Sequence, residues 1–350
     1  MKYPALLNFM HILPRLGEFD AIIDARSEAE FALDHIPGAI NCPVLDNEER
    51  IRVGTIYKQV NAFEAKKIGA ALVSKNIARH IEALWVDKPR DWKPLIYCWR
   101  GGNRSGALAH VLAKIGWPAI QLDGGYKAYR AHVSAALEDT PRLEFKVICG
   151  TTGSGKSRLL EVLDTIGAQV LDLEQLAQHR GSVLGSLPSR PQPSQKMFET
   201  LLWDKLRHFD PALPVFVESE SKKVGQLRVP DALMERMRQS PCVSLTLSRP
   251  NRVRLLMEDY HYFAADPAAL NTQLDCLVKL HGREKITAWH DMANGGRMPE
   301  LVGQLLLDHY DPAYLRSIDR NFARFGEAEV LELGDIGKDD FLKAAQHLHR

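Results

Sequence analysis

Two loops with the composition of anion-binding sites occur in this chain of 350 residues, and only one of them contains a thiol. The first loop is Cys-Trp-Arg-Gly-Gly-Asn-Arg-Ser at residues 98–105, and the second is Gly-Thr-Thr-Gly-Ser-Gly-Lys-Ser at residues 150–157. A cysteine among arginines and glycines predicts a nucleophile that carries or attacks a chalcogen or phosphorus atom. A glycine-rich loop ending in Lys-Ser predicts a phosphate site between a strand and a helix. The chain is therefore expected to contain two α/β regions, each with its own anion site.

Composition limits the class of protein further. A length of 350 residues suits two domains, and 45% apolar with 25% charged residues is typical of a globular chain. Because the net charge is only +1, any site for a polyanion must be a local basic patch. No apolar run approaches the roughly 18 residues of a membrane span, and residues 1–10 lack the features of a signal peptide. These observations predict a cytoplasmic protein without a membrane partner.

The cysteines argue against a zinc or disulfide framework. The five positions are Cys42, Cys98, Cys149, Cys242 and Cys276. Their number is odd and no C-x-x-C pair occurs, while the histidines show no H-E-x-x-H spacing. This usage fits a reducing compartment, and neither a tightly bound cofactor nor a certain metal site is expected.

Short apolar runs alternate with helical patterns along the first part of the chain. We predict strands at 19–24, 94–97 and 119–122, and helices at 62–74 and 105–115. Such alternation predicts a parallel sheet covered by helices. A polar stretch at 138–142 marks the predicted boundary, which gives domains of residues 1–137 and 138–350.

The alternation begins again after this boundary. We predict strands at 145–149, 169–172, 215–218 and 242–247, with a helix at 156–166. From about residue 250 onward the pattern is mostly helical. The predicted fold class is α/β, with a parallel-sheet domain followed by a P-loop NTPase-like domain that has a mostly helical C-terminal part.

The thiol loop is expected at the carboxyl edge of the first sheet, where Cys98 follows a predicted strand and faces the start of a helix. The backbone dipoles, the helix end and Arg100 or Arg104 would favour the thiolate. A buried structural cysteine is the alternative, but two arginines and two glycines fit an apolar core poorly. The candidate catalytic residue is therefore Cys98, in an anion loop formed by Trp99, Arg100, Gly101, Gly102, Asn103 and Arg104.

Two active-site classes share this loop, namely rhodaneses and C-x5-R phosphatases, and the loop alone does not decide between them. Residues 24–27 with 35–40 resemble the entry motif of rhodanese domains, and residues 122–129 resemble their closing motif. Tyr97 stands where phosphatases of this shape usually carry histidine. The loop is one residue longer than the common sulfurtransferase form, and a wider loop suits a larger atom or a tetrahedral oxyanion.

The second loop matches G-x-x-x-x-G-K-S in full and lies between a predicted strand and a predicted helix. Its backbone N–H groups and Lys156 would hold a diphosphate, and Ser157 is a candidate Mg²⁺ ligand. The usual acidic companion is Asp, whereas Glu218 ends the nearest strand and Asp172 ends another. No guanine-reading Asn-Lys-x-Asp motif occurs, and ATP hydrolysis stays open. The candidate diphosphate-binding residues are Gly150, Thr151, Thr152, Gly153, Ser154, Gly155, Lys156 and Ser157.

Further polar candidates lie outside the two loops. Arg249 and Arg252 follow a predicted strand and suit a phosphate lid or an RNA contact, with a solvated helix start as the alternative. Arg180 lies in the His-Arg-Gly-Ser segment 179–182, which suits a polar site loop. Together with Asp172 and Glu218, these arginines are the candidate polar partners of the phosphate loop.

A rhodanese-like domain followed by a P-loop domain resembles the bacterial tRNA 2-selenouridine synthase family. The segments that carry the resemblance are 98–102, 150–157, 179–182 and the His-Tyr-Asp-Pro segment 309–312. The resemblance spans nearly the whole chain, and the order of the two domains is its most specific element.

This resemblance implies a substrate and a reaction. The family acts on 2-thiouridine at the wobble position of tRNAs for Lys, Glu and Gln, and it exchanges sulfur for selenium with selenophosphate. It also attaches a geranyl group from geranyl diphosphate to the sulfur as an intermediate step. By this resemblance, Lys156 and its loop serve geranylation and Cys98 handles selenium. A selenophosphate-producing enzyme is a candidate partner.

Two other functions remain open from the sequence. One is a rhodanese-type sulfurtransferase coupled to an ATP-using P-loop domain. The other is a regulatory binding module in which Cys98 senses redox state.

Overall fold

The computed structural model describes residues 3–139, 143–187 and 190–349. The chain divides into two compact units, Met1–Ala136 with Glu199–Asp204 and Leu137–Phe198 with Lys205–Arg350. The predicted boundary at 138–142 falls partly outside the described residues, which leave out 140–142. Each unit has its own five-stranded parallel sheet, and this architecture confirms the predicted α/β fold class.

The sheet of the first unit contains β1 (Ala5–Leu7), β2 (Ala21–Asp24), β3 (Ala39–Asn41), β4 (Pro94–Tyr97) and β5 (Ile120–Leu122). Their order is β1-β5-β4-β2-β3, and the register places Ile23 opposite Ile96. The three strands predicted in this region are confirmed as β2, β4 and β5. The edge strands β1 and β3 were not predicted, because three partly exposed residues give no periodic pattern.

The helices of the first unit are α1 (Phe9–Ile12), α2 (Glu28–Leu33), α3 (Asn47–Gln59), α4 (Ala62–His80), α5 (Asn103–Ile115) and α6 (Gly125–Glu138). A 3₁₀ helix at Leu13–Glu18 and a π-helical turn at Ile81–Trp85 complete this part. α4 begins where predicted, because the side chain of Asn61 accepts the N–H of Glu64. α5 packs its apolar face on the sheet, and Leu108 and Leu112 are fully buried there.

The sheet of the second unit contains β6 (Phe145–Cys149), β7 (Gln169–Leu171), β8 (Val215–Glu218), β11 (Cys242–Leu247) and β12 (Glu329–Leu333). Their order is β12-β11-β6-β8-β7, which puts the strand before the phosphate loop at the centre. Two further strands, β9 (Lys223–Val224) and β10 (Leu227–Arg228), pair as a short antiparallel hairpin. The four strands predicted in this unit are confirmed, with the predicted bounds for β6, β8 and β11.

The helices of the second unit surround this sheet and form a separate apolar cluster beyond it. They are α7 (Lys156–Thr165), α8 (Leu173–Ala177), α9 (Gln195–Leu206), α10 (Asp231–Gln239), α11 (Arg249–Asp259), α12 (His261–Ala265), α13 (Pro267–Leu274), α14 (Val278–His281), α15 (Arg283–Asn294), α16 (Met298–Leu305), α17 (Asp311–Asn321) and α18 (Lys338–Leu348). Within α9, residues Glu199–Asp204 belong to the first unit. Shorter 3₁₀ or π turns lie at Asp275–Leu277, Leu306–Tyr310 and Phe325–Glu327. Across the described parts of the chain, no helix combines the length and the apolar character needed to cross a membrane.

The mostly helical C-terminal part is confirmed apart from β12. This strand has the sequence Glu-Val-Leu-Glu-Leu, which fits a helix or a strand, and it pairs along its whole length with β11. Val330 is 68% exposed, as expected for an edge strand. The pairing with β11 therefore decides the conformation of a segment whose own pattern is ambiguous.

A buried ion pair supports the end of β2. Arg26 is 1% exposed, and its guanidinium donates to the carboxylate of Asp24 and to the carbonyl oxygen of Asp34, each at 2.6 Å. The same guanidinium lies 4.0 Å from the ring centroid of Tyr126. Because an unpaired buried charge is costly, both partners are needed for this corner to stay folded.

We expect Arg26→Met to lower the free energy of unfolding of the first unit by about 3–5 kcal/mol, since Asp24 would stay buried without its counter-charge. Denaturant unfolding followed by tryptophan fluorescence measures this, because five of the six tryptophans belong to this unit. The matched control is Arg15→Met, whose partner Glu18 is exposed, and it should leave the unfolding midpoint unchanged. Equal midpoints for the Arg26 variant and the wild type would contradict the expectation.

Candidate functional site

The thiol loop lies at the carboxyl edge of the first sheet, as expected. Cys98 follows β4 directly, and α5 begins at Asn103. Gly101 has a φ of 65°, a left-handed conformation that favours glycine. Gly102 is the N-cap of α5 and makes no side-chain bond to the first turn. A helix N-terminus without a side-chain cap therefore lies next to the cysteine, and such a terminus favours an anion.

The predicted closing motif holds this loop in place. The backbone N–H of Tyr126 donates to the carbonyl oxygen of Cys98 at 2.8 Å, and that of Lys127 donates to Trp99 at 3.0 Å. Gly125 has a φ of 56°, and a Cβ at this position would overlap the backbone of Cys98. The close backbone approach explains why a glycine precedes Tyr126 in this motif.

The sulfur of Cys98 is covered in this conformation. The residue is 3% exposed, and its Sγ accepts a hydrogen bond from the hydroxyl of Ser105 at 3.1 Å. The amide of Gln121 donates to the same hydroxyl at 3.2 Å. Trp99 and Asn103, in contrast, are exposed. Cys98 packs with the apolar cluster of the first unit, so its sulfur is not open to a substrate in this conformation.

The two arginines of the loop differ in their surroundings. Arg104 donates to Glu30 at 2.7 Å, and Arg50 forms a second salt bridge with the same carboxylate at 3.1 Å. Burial alone would raise the pKa of Glu30, but the hydrogen bond and charge of Arg104 outweigh it and lower the pKa. Arg100 is exposed and has no salt bridge among the described residues. Of the two predicted anion ligands, Arg100 is thus the available cation, while the charge of Arg104 is already balanced.

The phosphate loop connects β6 to α7 in the second unit. Gly153 and Gly155 have φ values of 77° and 91°, which the loop curvature requires. The Nζ of Lys156 donates to the carbonyl oxygen of Gly150 at 2.7 Å, so the lysine lies across its own loop. Thr151 and Thr152 are half-buried, and Ser154 is fully buried with a hydroxyl that has no partner among the described residues. The loop has the geometry of a phosphate cradle, and Lys156 must turn outward to meet a ligand.

The two carboxyl groups predicted from the sequence support α8. Glu218 is 2% exposed, and its Oε1 accepts the backbone N–H groups of Leu173 and Glu174 at 2.7 and 3.0 Å. Burial, followed by the charge of Asp172, raises the pKa of Glu218 well above its ordinary value. Asp172 accepts the N–H of Gln175 at 2.7 Å, and burial raises its pKa to about 6. Both groups therefore fix the start of a helix next to the phosphate loop.

Glu174, which was not predicted, is the carboxyl that contacts the loop directly. The hydroxyl of Ser157 donates to its Oε2 at 3.1 Å. Burial raises the pKa of Glu174, and burial together with the charge of Glu174 raises the pKa of Glu220 to about 8. The sequence contained one signal for Glu174. This residue lies two positions after Asp172, in the first turn of the helix that follows β7.

Arg252 supports the phosphate loop from within. It is 6% exposed, and its guanidinium donates to the carbonyl oxygen of Thr152 at 2.7 and 2.9 Å. The same guanidinium pairs with Asp311 at 2.6 Å. The interpretation of Arg252 as a lid or an RNA contact is therefore wrong for this residue, because its charge and its N–H groups are used inside the fold.

The other two predicted arginines have different positions. Arg249 is exposed at the first position of α11, which matches the alternative of a solvated helix start. Arg180 lines the cavity in front of the phosphate loop, with its guanidinium 5.0 Å from the ring centroid of Tyr260 and 3.8 Å from Asp259. Of the predicted arginines outside the loops, Arg180 is thus the one that faces the cavity.

Two cavities meet at the phosphate loop. The larger one has a volume of about 440 Å³ and is lined by Lys156, Ser157, Glu174, Arg180, Tyr310 and Tyr314. The smaller one, about 50 Å³, is lined mainly by apolar side chains of the helical part, among them Leu184, Phe263, Leu270, Met298, Leu301 and Leu305. The residues common to both are Thr152, Ser182, Leu256, Tyr260 and Tyr310. An apolar cavity therefore adjoins the anion cradle, and segments 179–182 and 309–312 contribute to the same site.

Comparison with known proteins agrees with this architecture. Residues 13–132 match the rhodanese-like domain, and residues 143–277 match the family described as the tRNA 2-selenouridine synthase AAA domain. The chain thus combines a rhodanese-like domain with a match to the AAA domain of the tRNA 2-selenouridine synthase family.

Several curated relatives carry the same name. The chain is 36% identical to the tRNA 2-selenouridine synthase of Sulfurovum sp., over 92% of this chain and 98% of that protein. It is 36% identical to that of Marinobacter nauticus, over 84% of this chain and 87% of that protein. The match with the Nitrosomonas europaea protein is 37% identical and extends over 68% of this chain and 63% of that protein. The chain belongs to the tRNA 2-selenouridine synthase family.

We expect Arg252→Gln to weaken the binding of inorganic pyrophosphate about tenfold, which corresponds to about 1.4 kcal/mol. The physical reason is that the Thr152 carbonyl and Asp311 lose the guanidinium that holds the loop. Isothermal titration calorimetry measures the affinity, and circular dichroism checks the fold. The matched control is Arg254→Gln on the same helix, since Arg254 is exposed and its guanidinium contacts Asn251 and the exposed Asp335. Equal affinities for the two variants would contradict the supporting role of Arg252.

Proposed function

We propose that this protein is a tRNA-modifying transferase that converts wobble 2-thiouridine to 2-selenouridine, with an S-geranylated intermediate. Geranyl diphosphate and selenophosphate are the proposed co-substrates, and the proposed tRNAs are those for Lys, Glu and Gln. The two anion loops support a division of labour between two steps. The phosphate loop would serve geranylation, because it offers a diphosphate cradle, and the thiol loop would serve selenium transfer. Because the proposed substrate is tRNA, we propose a cytoplasmic location, with a selenophosphate-producing enzyme as the candidate partner.

The observation that carries the proposal is the apolar cavity next to the phosphate loop. A nucleoside triphosphate needs polar contacts for its ribose and base, whereas an isoprenyl diphosphate presents an apolar chain to the protein. Leu301, Leu305 and Phe263 line the cavity that continues from the cradle. Met298 also lines it, and the flexible methionine side chain lets a small cavity widen around a chain. This arrangement favours geranyl diphosphate over ATP.

In the proposed first step, the thiocarbonyl sulfur of the base attacks carbon 1 of the geranyl group. The new S–C bond forms as the C–O bond breaks, diphosphate leaves, and the base loses its N3 proton. The phosphate-loop N–H groups and Lys156 stabilise the charge that develops on the diphosphate. Lys156 is released for this role when the ligand replaces its bond to Gly150.

Side chains at the phosphate loop are also suited to bind Mg²⁺ together with the diphosphate. The Ser157 hydroxyl and the Glu174 carboxylate lie 3.1 Å apart, and these are the oxygen ligands that Mg²⁺ uses together with substrate phosphates. No cluster of three or more acidic, histidine or cysteine side chains suited to a metal ion occurs in the described ranges, so the diphosphate would have to complete the coordination. When bound, the ion would neutralise part of the leaving-group charge.

In the proposed second step, selenium replaces the geranylated sulfur at carbon 2 of the base. Alkylation turns a poor leaving group into a thiol, so the C–Se bond forms as the C–S bond breaks. Cys98 attacks carbon 2 and geranylthiol leaves. The selenium of selenophosphate then displaces Cys98 from carbon 2, and water cleaves the P–Se bond so that phosphate departs. Arg100 and the N-terminus of α5 would hold the selenophosphate oxyanion beside it. Because Cys98 is covered, the loop opens in this step.

We expect Cys98→Ser to abolish selenation and to leave S-geranylated tRNA accumulating, whereas Lys156→Ala abolishes both modifications. The reason is that geranylation needs only the diphosphate cradle, while selenium transfer needs the thiol. Mass spectrometry of tRNA nucleosides from cells that express each variant measures both products.

The matched controls are Cys276→Ser and Lys343→Ala, which change an exposed cysteine and an exposed lysine and should leave both products at wild-type levels. Loss of geranylation in the Cys98 variant would contradict the division of labour. Retention of geranylation in the Lys156 variant would contradict the role of the phosphate loop.

A further inference from the structure

A second groove lies beside the cavity of the phosphate loop. Its volume is about 440 Å³, and Arg238 and Asn321 line both spaces. Lys222, Arg238 and Arg320 contribute three positive charges to its lining, against the carboxylates of Asp231 and Glu235. Lys222 pairs with Asp231 at 2.8 Å, so Arg238 and Arg320 are the lining cations left for a ligand. The protein as a whole has a net charge of only +1, so a polyanion partner requires a local concentration of cations such as this one.

The hairpin next to Lys222 adds two further cations. Lys223 on β9 and Arg228 on β10 are directly opposite each other in the register, and both are exposed. Like charges in directly opposed positions of a sheet destabilise it. Val224 and Leu227, the other pair of the hairpin, are buried and hold the two strands together. The fold therefore accepts an electrostatic cost that a bound anion would remove.

Several of these cations are also unpaired. Neither Lys223 nor Arg320 forms a salt bridge with any residue that the structure describes. The Nε of Arg238 is buried and has no acceptor among the same residues. A buried N–H without an acceptor costs free energy, which an incoming phosphate oxygen would recover. Arg238 can thus bind an anion where the groove and the cavity meet.

We propose that the groove lined by Lys222, Arg238 and Arg320, together with Lys223 and Arg228 of the adjoining hairpin, binds the phosphate backbone of the tRNA anticodon loop, and we term this surface the basic groove. This inference rests on the proposed function, because the bound loop must deliver its wobble base to the phosphate-loop cavity. Single-stranded loops are recognised with their bases splayed out, and such a base enters the cavity at the side shared by Arg238 and Asn321.

The test uses a variant with Lys223→Gln, Arg228→Gln and Arg320→Gln, all at exposed positions. The probe is a synthetic anticodon stem-loop that carries 2-thiouridine, and fluorescence anisotropy measures its Kd between about 50 and 200 mM salt. Each removed phosphate contact should lower the slope of log Kd against log salt by about 1, so we expect a decrease of about 2–3. We expect the Kd itself to rise at least about tenfold at the low-salt end, with unchanged affinity for geranyl diphosphate.

The matched control carries Lys338→Gln, Lys343→Gln and Arg254→Gln, which remove the same charge from other exposed positions of this unit. It should keep the wild-type Kd and slope.

If the groove variant also keeps both, the basic groove is not the RNA site and the inference is overturned, while the proposed function stands. If the wild-type protein fails to bind the stem-loop at all, the proposed function fails with it. Loss of poly-glutamate binding with unchanged stem-loop binding would assign the groove to an acidic protein and would also overturn the inference.

Discussion

The buried guanidinium of Arg252 is the contact on which the second site depends. It holds the Thr152 carbonyl of the phosphate loop and the Asp311 carboxylate at once, and so it connects α11, the loop and the start of α17. Tyr314 on the same helix accepts the N–H of Gly150 at the other end of the loop. A glycine-rich loop has many accessible conformations, and these two contacts select one of them. The helical part thus determines the shape of the cradle and lines the cavity in front of it.

The charge balance around the cradle follows from burial. Glu174 and Glu220 both line the cavity beside Lys156, and two ionised carboxylates there would repel a diphosphate. Burial raises the pKa of both groups, to about 8 for Glu220, and so disfavours their ionised forms. The cavity therefore carries less negative charge than the number of carboxyl groups in its lining would indicate. Arg180 adds a positive charge on the same wall, and the cradle remains suited to an anion.

Much of the fold and of both loops was predictable, because these features depend on local patterns. The strands 94–97, 145–149, 215–218 and 242–247 were predicted with their observed bounds, since buried runs between turn residues are a strong signal. The role of Arg252 was not predictable, because it depends on Asp311, which is distant in sequence. The same holds for Glu174, whose contact with Ser157 follows from the packing of α8. The covered position of Cys98 likewise depends on the closing motif and on Ser105.

We propose that the phosphate loop binds an isoprenyl diphosphate, with the isoprenyl chain in the adjoining apolar cavity. The most direct measurement compares the Kd values of geranyl diphosphate, inorganic pyrophosphate and ATP for the same protein by isothermal titration calorimetry. Burial of even two CH₂ groups is worth about 1.6 kcal/mol, so we expect geranyl diphosphate to bind at least about tenfold more tightly than pyrophosphate or ATP. Tighter binding of ATP, with geranyl diphosphate no better than pyrophosphate, would contradict it.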